Sequence, residues 1–239
     1  MFGGWGASDI GKQRNYNEDS YLIDDSQGLF AVADGVGGDG SGKIASAFVL
    51  NEFQRQMAVR TARHKTLDHE SGLELLNMIN SGLLAKQAVD HTSKPLASTF
   101  SAFIIQKHLQ GLILHVGDSR IYGLDAANVL TALTGEHTLA AELKRQGLDS
   151  MDSSAADALI NCMGHMRPEW HEVYPVQLHK YQTFLICSDG LSKMVDHQQL
   201  EQIVVNSWQQ PDICVKTLIN AALQAGGIDN ITAIIIYRK

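Results

Sequence analysis

Three aspartates stand at the ends of apolar segments in this sequence. Asp34 and Asp189 each follow such a segment, and Asp229 precedes another. Aspartate is depleted inside strands, so these positions are typical of strand ends, where a carboxylate beside a flexible glycine can turn toward a shared point. Carboxylates that meet at one point repel one another, and their pKa values rise unless a cation neutralises them. The pattern therefore predicts an acidic site for a divalent metal ion.

The other metal-binding residue types indicate oxygen ligands rather than nitrogen or sulfur ligands. Cys162, Cys187 and Cys214 are far apart in the sequence, and the ten histidines form no His-Glu-x-x-His pattern. Zinc sites and disulfide frameworks normally need closer or paired spacings. Carboxylate and carbonyl oxygens favour magnesium, manganese or calcium.

An arginine and two adjacent acids near the start of the chain have a spacing that suits phosphate chemistry. Arg14 precedes Glu18 and Asp19 by a few residues. A guanidinium group binds a phosphate through paired hydrogen bonds, while an acid beside it orients metal-bound water. A surface salt bridge in a turn is the alternative, and on its own so short a motif more often has that role. Gly35, which follows Asp34, leaves room for a backbone carbonyl to approach an ion.

Two further motifs are similar to active-site patterns but lack a required partner. Residues 37–43 match the P-loop pattern Gly-x-x-x-x-Gly-Lys, yet Ile44 stands where a P-loop has a serine or threonine for magnesium. The Gly-Asp-Ser segment 117–119 is similar to an esterase block, but no Asp-x-x-His pattern follows near the C-terminus to supply a base. Asp118 is then either a ligand for a further cation or a turn carboxylate. His137 is either a proton donor or a structural residue.

The composition is that of a globular protein with a large core. Of the 239 residues, 44% are hydrophobic and 19% are charged, and we expect one domain over residues 1–239 because no linker-like segment divides it. The formal net charge of −7 disfavours nucleic-acid binding, which usually needs a basic stripe. Neither a signal peptide nor a membrane-spanning run is evident, so we expect a cytoplasmic protein without membrane insertion.

Hydrophobic periodicity predicts that strands and helices come in blocks. Short strands are followed by two long amphipathic helices and then by four strands that short turns separate. A helix over 139–146 precedes a short variable flap around 147–170, and further strands and helices end in a strand over 231–237. The short connections favour antiparallel pairing. The block order favours an α+β fold with helices outside over a doubly wound parallel sheet.

Eight short motifs occur in a specific order along almost the whole chain. They are the segments 8–11, 14–19, 32–38, 98–99, 117–120, 133–138, 187–191 and 227–232. Each motif is weak by itself, but the order and the placement of the set are specific. On these motifs the chain resembles the metal-dependent serine/threonine protein phosphatases, the protein phosphatase 2C family, in a compact form similar to the bacterial members.

The resemblance implies a four-layer α-β-β-α sandwich, in which two antiparallel sheets pack face to face with helices outside. A cleft at one end would hold two manganese or magnesium ions. By the matching motifs, Asp34 would bridge both ions and Gly35 would contribute its carbonyl. Asp189 and Asp229 would complete the protein ligands. Asp118, together with Asp189, would hold a third ion of the kind found in bacterial relatives.

The same resemblance implies roles for the N-terminal motif and a reaction. Arg14 would bind the phosphate, and Glu18 and Asp19 would act mainly through metal-bound waters. The implied reaction is hydrolysis of phosphoserine and phosphothreonine on proteins by direct attack of a water that bridges the ions, without a phosphoenzyme. Val36 stands where eukaryotic relatives carry a histidine proposed as general acid, so protonation of the leaving group either falls to a metal-bound water or is left unassigned.

The expected partners are phosphorylated proteins and the pathway of a serine/threonine kinase in bacterial signalling. A catalytically silent phosphoprotein-binding module of the same fold is the alternative. The intact set of predicted metal ligands speaks against that alternative. A P-loop nucleotide hydrolase that depends on Lys43 is a third hypothesis.

Overall fold

The computed structural model of the chain describes residues 2–63, 66–90, 95–148, 156–165, 167 and 172–239. The strands in these residues are β1 (Phe2–Asp9), β2 (Ser20–Asp24), β3 (Leu29–Ala33), β4 (Gly35–Val36), β5 (Ala97–Ser98), β6 (Phe100–Ile105), β7 (Gln110–Val116), β8 (Arg120–Asp125), β9 (Leu130–Ala132), β10 (Glu172–Gln177), β11 (Tyr181–Cys187) and β12 (Ile231–Arg238). The helices are α1 (Ser41–Ala62), α2 (His69–Asp90), α3 (Leu139–Arg145), α4 (Asp189–Ser192), α5 (His197–Ser207) and α6 (Pro211–Gln224). Hydrophobic periodicity predicted all of these except the short elements β4, β5 and α4.

The strands form two five-stranded antiparallel sheets. The first sheet has the order β1-β12-β11-β8-β9, and the second has the order β10-β7-β6-β3-β2. A separate two-residue pairing joins β4 to β5. The antiparallel arrangement predicted from the short connections is therefore confirmed.

Three apolar cores hold four layers together. One core lies between the two sheets and includes Phe30 and Phe184. The second lies between α1, α2 and the second sheet and includes Phe53. The third joins the first sheet to α5 and α6 and includes Leu200 and Leu218. The predicted α-β-β-α sandwich with helices outside is confirmed.

Strand β3 shows why its sequence is apolar without interruption. Successive side chains of a strand point to opposite faces. Leu29 and Ala31 belong to the core beneath α1 and α2, whereas Phe30 and Val32 belong to the core between the sheets. Because both faces are covered, every residue of β3 is buried. Burial of a side chain the size of Phe30 contributes about 1.5–3 kcal/mol.

The pairing register brings the ends of several strands to one edge of the sandwich. Cys187 at the end of β11 pairs with Ala233 near the start of β12 and with Arg120 at the start of β8. In the second sheet, the start of β6 pairs with Val116 at the end of β7, and Val32 near the end of β3 pairs with Ser101 in β6. The loops that carry the predicted aspartates therefore leave the two sheets at the same end.

The predicted flap around 147–170 lies partly outside the described residues, since 149–155, 166 and 168–170 are not among them. Its described part is paired to the rest of the fold. Leu159 forms a bridge with Thr138, and the buried Met163 forms one with Ser98. The variability of the flap and the single-domain division both stay predictions. Among the described residues, every helix is too short or too polar to span a bilayer.

Candidate metal centre

Asp34 is held by its backbone, which leaves its side chain for the cleft. Its N–H donates to Thr99 Oγ1 (2.9 Å), and its carbonyl accepts from Thr99 N (2.8 Å) and Ser98 Oγ (3.0 Å). Burial, together with the neighbouring carboxylates of Asp19 and Asp189, raises the pKa of Asp34 well above its ordinary value.

Gly35 allows two backbone segments to approach each other closely. A Cβ atom at Gly35 would collide with the carbonyl of Gly42 in the first turn of α1. Gly42 has the reciprocal restriction, because a Cβ there would collide with the carbonyl of Gly35. Any side chain at either position would push the start of α1 away from the cleft.

Glu18 anchors the glycine-rich segment in front of α1. Its carboxylate accepts hydrogen bonds from the amides of Gly38, Gly40 (2.8 Å) and Gly42 (3.1 Å), and Glu18 is only 4% exposed. The first amides of a helix have no partner within the helix, and a negative charge beside them is stabilising. Glu18 therefore supplies the cap that Gly40, the residue before α1, does not provide by a side chain.

Asp19 is the most enclosed acid beneath the cleft. Its Oδ2 accepts from Ser188 Oγ (2.7 Å) and Thr232 Oγ1 (2.6 Å), whereas its buried Oδ1 has no hydrogen-bond partner in the described part of the chain. Burial raises the pKa of Asp19 to about 7 despite these two hydrogen bonds.

Asp118 and Asp189 share one cation of the protein itself. Lys193 Nζ lies 2.8 Å from Asp118 Oδ2 and 2.7 Å from Asp189 Oδ2. Asp189 begins α4, and Lys193 follows its end, four residues further on. Burial raises the pKa of Asp118 to about 6, with a further contribution from the charge of Asp189. The second oxygen of Asp189, Oδ1, is buried and has no hydrogen-bond partner within the described residues.

Asp229 and Arg14 form an ion pair at the mouth of the cleft. Arg14 Nη2 donates to Asp229 Oδ2 (2.6 Å), and the Arg14 side chain is 43% exposed. Asn230 locks the surrounding loops, because its side chain accepts from Glu18 N and donates to the carbonyls of Ile10 and Tyr16. The N-terminal motif is thereby fixed to the loop before β12.

One cavity of about 360 Å³ collects most of the predicted residues. The predicted residues that line it are Arg14, Glu18, Asp34, Gly35, Asp118, Asp189 and Asp229. Asp19 lies beneath the cavity and influences it through its charge on Asp34. Lys193, Asn230 and Asp157 also line it, and sequence reasoning did not select them. The spacing of Lys193 four residues after Asp189 was a usable signal only if a helix had been predicted there.

The donor set of this cleft fits a hard divalent cation. Its polar lining is dominated by carboxylates, and two buried oxygens, Asp19 Oδ1 and Asp189 Oδ1, have no hydrogen-bond partner among the described residues. A buried oxygen of this kind is costly unless a cation or a donor satisfies it. Magnesium and manganese prefer carboxylate and carbonyl oxygens.

A second polar cluster lies behind Asp118 and has a different character. His115, His137 and Glu172 place potential ligand atoms within 4.8 Å of one another. Gly117 N donates to His137 Nδ1 (2.9 Å), so the ring hydrogen of neutral His137 is on Nε2, which lies 3.8 Å from Glu172 Oε1. A metal ion at Nε2 would have to displace that hydrogen. Groups outside the cluster already bond one ring nitrogen of each histidine and one oxygen of Glu172, whereas His115 Nε2 is buried without a partner among the described residues.

A protein-family model described as "Protein phosphatase 2C" matches residues 6–224. The chain belongs to the protein phosphatase 2C family. A serine/threonine phosphatase stp from Listeria welshimeri serovar 6b is 30% identical over 97% of this chain and 94% of that protein. The family resemblance inferred from the eight motifs is confirmed, and the chain is a protein phosphatase.

Solved structures of protein phosphatase 2C relatives have the same fold. The serine/threonine phosphatase Stp1 from Staphylococcus aureus superposes with a TM-score of 0.87 at 22% identity, and the match covers 100% of this chain and 96% of that chain. The catalytic domain of the serine/threonine phosphatase PstP, solved in complex with two manganese ions, superposes with a TM-score of 0.76 at 24% identity over 99% of each chain. Metal dependence is a property of the family.

Proposed function

We propose that this protein phosphatase 2C member hydrolyses phosphoserine and phosphothreonine on proteins, with two divalent ions bound in the acidic cleft. The observation that carries the proposal is the meeting of Asp34, Asp189 and Asp229 from three distant segments around one cavity. The buried oxygens Asp19 Oδ1 and Asp189 Oδ1 support it, because neither has a hydrogen-bond partner among the described residues and such atoms mark a place where positive charge is needed. The named activity of the Listeria relative supports the substrate class.

Asp34, Asp189, Asp229 and the Gly35 carbonyl would hold the ions. When bound, two divalent ions of this kind lower the pKa of a water nucleophile and neutralise charge on the phosphoryl oxygens. Manganese is the first choice, because the PstP structure contains two manganese ions, and magnesium is the alternative. The sequence also predicted a third ion at Asp118 and Asp189, where the ammonium group of Lys193 lies.

Arg14 would bind the phosphate of the substrate. Its guanidinium lines the cavity and is partly exposed, so an incoming phosphate can reach it. The ion pair with Asp229 orients the group and occupies one of its two terminal nitrogens. A guanidinium has five N–H donors, so donors are left for phosphate oxygens.

Glu18 and Asp19 would shape the cleft through the residues that they hold. Glu18 binds three glycine amides directly, which keeps the glycine-rich segment against Asp34 and Gly35. Asp19 Oδ1 has no hydrogen-bond partner in the described part of the chain, and the charge of Asp19 contributes to the raised pKa of Asp34. The action of both acids through metal-bound waters stays a prediction, and so do the cognate kinase pathway and the cytoplasmic location.

Release of phosphate from synthetic peptides tests the proposed reaction. We expect manganese-dependent release from a phosphothreonine peptide, and loss of release in Asp34→Asn with the fold retained by circular dichroism. Asp212→Asn is the matched control, because it makes the same chemical change at an exposed position in the first turn of α6. A phosphotyrosine peptide of the same sequence should be a poor substrate.

The opposite outcomes are equally clear. No phosphate release by the wild-type chain with manganese or magnesium would contradict the reaction. Binding of the phosphothreonine peptide without turnover would favour the silent phosphoprotein-binding module. Nucleotide hydrolysis that requires Lys43 would favour the P-loop hypothesis, although Lys43 Nζ donates to the Asp19 carbonyl (3.0 Å) in this fold.

A further inference from the structure

The pair Asp118 and Asp189 already has a cation between its carboxylates. The ammonium group of Lys193 lies within hydrogen-bond distance of one oxygen of each, at 2.8 Å and 2.7 Å. The two aspartates come from different segments, the loop after β7 and the start of α4. Asp118 is only 3% exposed, so its charge depends on a nearby positive group.

The backbone of Lys193 is hydrogen-bonded so that its side chain stays beside Asp189. Lys193 follows α4 directly, and its N–H donates to the Asp189 carbonyl (2.8 Å). The spacing of four residues brings its side chain and that of Asp189 to the same side of the helical turn. An ammonium group has three donors, so two carboxylate contacts leave one donor to spare.

The two carboxylate oxygens of Asp189 have different surroundings. Oδ2 accepts from Lys193, whereas Oδ1 has no hydrogen-bond partner in the described residues. Oδ1 is therefore available for an ion shared with Asp34, while Oδ2 is already neutralised. A metal ion between Asp118 and Asp189 would have to displace the ammonium and break two charge-assisted hydrogen bonds.

We propose that Lys193 is a built-in replacement for the third cation of this centre. Its ammonium group occupies the place between Asp118 and Asp189, so the chain binds two metal ions there rather than three. The proposal rests on the proposed function, since it takes the ions at Asp34, Asp189 and Asp229 as given.

Counting bound manganese tests the replacement without any need for turnover. We would dialyse the wild-type chain and Lys193→Met to equilibrium over a range of manganese concentrations and measure protein-bound manganese by elemental analysis. Methionine has a similar length and no charge. We expect Lys193→Met to bind one more ion per chain than the wild type at high manganese. Lys193→Arg keeps a cation and should bind the same number as the wild type.

A double variant locates the additional ion. Adding Asp118→Asn to Lys193→Met should remove the extra ion and leave the wild-type number. Thermal melting guards against a folding defect, because Lys193→Met should melt below the wild type in chelator and recover when manganese is added. Purification in manganese allows the count even if the metal-free variant does not fold.

Equal manganese numbers in the wild type and Lys193→Met would overturn the replacement. An extra ion that persists after Asp118→Asn is added would also overturn it. A different result marks a failure of the proposed function: Asp34→Asn would then bind as much manganese as the wild type, or the wild type would bind none. The two failures are therefore separable by the same measurement.

Discussion

The acidic cleft and the histidine cluster lie on either side of one short segment, residues 115–118, yet their electrostatics are opposite. The cleft brings together acceptors, and two of its buried carboxylate oxygens have no hydrogen-bond partner among the described residues. In the cluster of His115, His137 and Glu172, groups outside the cluster bond one nitrogen of each histidine and one oxygen of Glu172, and the unpartnered buried atom among the described residues is a ring nitrogen, His115 Nε2. Polar density alone therefore does not mark a metal centre. The cleft differs in that its unpartnered buried atoms are carboxylate oxygens, which call for positive charge.

The pKa values of the buried groups also differ between the cleft and the histidine cluster. Burial raises the pKa of Asp19 to about 7 and that of Asp118 to about 6, so the cleft favours the protonated form of these carboxyl groups. Burial lowers the pKa of His115 to about 3, so this histidine is neutral. Burial alone would raise the pKa of Glu172, but the hydrogen bond from His137 and further hydrogen bonds and charges lower it to about 2. Without a bound cation, the cleft therefore favours protonated carboxyl groups, whereas in the cluster His115 stays neutral and Glu172 stays ionised.

The largest expected effect comes from Asp34→Asn. Manganese affinity should fall by at least about 100-fold, because loss of a ligand should cost no less than loss of its outer-shell support. The metal-free variant should be more stable than the metal-free wild type by about 1 kcal/mol, because burial and the neighbouring carboxylates disfavour ionisation of Asp34 and asparagine cannot ionise. Calorimetry and urea unfolding in chelator measure the two effects. A metal-free variant that is less stable than the wild type would break the comparison.

The pH dependence of the metal-free protein should be the next largest effect. Asp19 and Asp118 have folded-state pKa values of about 7 and about 6, against an ordinary value of 3.8. Between about pH 4 and pH 7, the folded state holds protons that the unfolded state has released, so the free energy of unfolding should fall as pH rises. Urea unfolding across this range checks it, and Asp19→Asn should flatten the slope. A free energy of unfolding that rises over the window would count against the raised pKa values.

His137→Ala should act on stability and not on the number of metal ions. The change leaves the Gly117 N–H without its acceptor, and an unsatisfied buried donor costs about 1–3 kcal/mol. His137→Asn places an acceptor oxygen near the lost nitrogen and should recover most of this loss. Urea unfolding with and without manganese, together with the manganese count, gives both readouts. A lower manganese number in His137→Ala with the fold intact would assign the cluster to the metal centre.

Glu172→Gln should have the smallest effect on the metal centre. An amide oxygen can still accept from Gly135 N, but the carboxylate charge that its neighbours stabilise is lost, so the free energy of unfolding at neutral pH should fall by about 1–3 kcal/mol. Manganese affinity should not change. A loss of manganese affinity as large as that of Asp34→Asn would show that the two regions are one site.

Much of the fold could be predicted from the sequence because its strands are recognisable from the apolar residues within each of them. The apolar run of β3 and the alternation of its side chains between two cores are consequences of residues that are adjacent in the chain. The short helix α4 was missed, because four residues are too few for helical periodicity to be visible. Lys193 was missed for the same reason.

The sequence by itself determined the family, because the order of its motifs is specific. It also predicted which carboxylate oxygens gather at one cleft, because aspartates beside glycines at strand ends depend only on residue type and spacing. Only the tertiary structure decided how those oxygens are shared. Glu18 accepts hydrogen bonds from three backbone amides, and Asp229 pairs with Arg14. Asp118 pairs with the ammonium group of Lys193, which directly follows a short helix that local sequence does not reveal. These pairings join residues far apart in the chain, and their distances are set by sheet register and loop packing rather than by any local pattern.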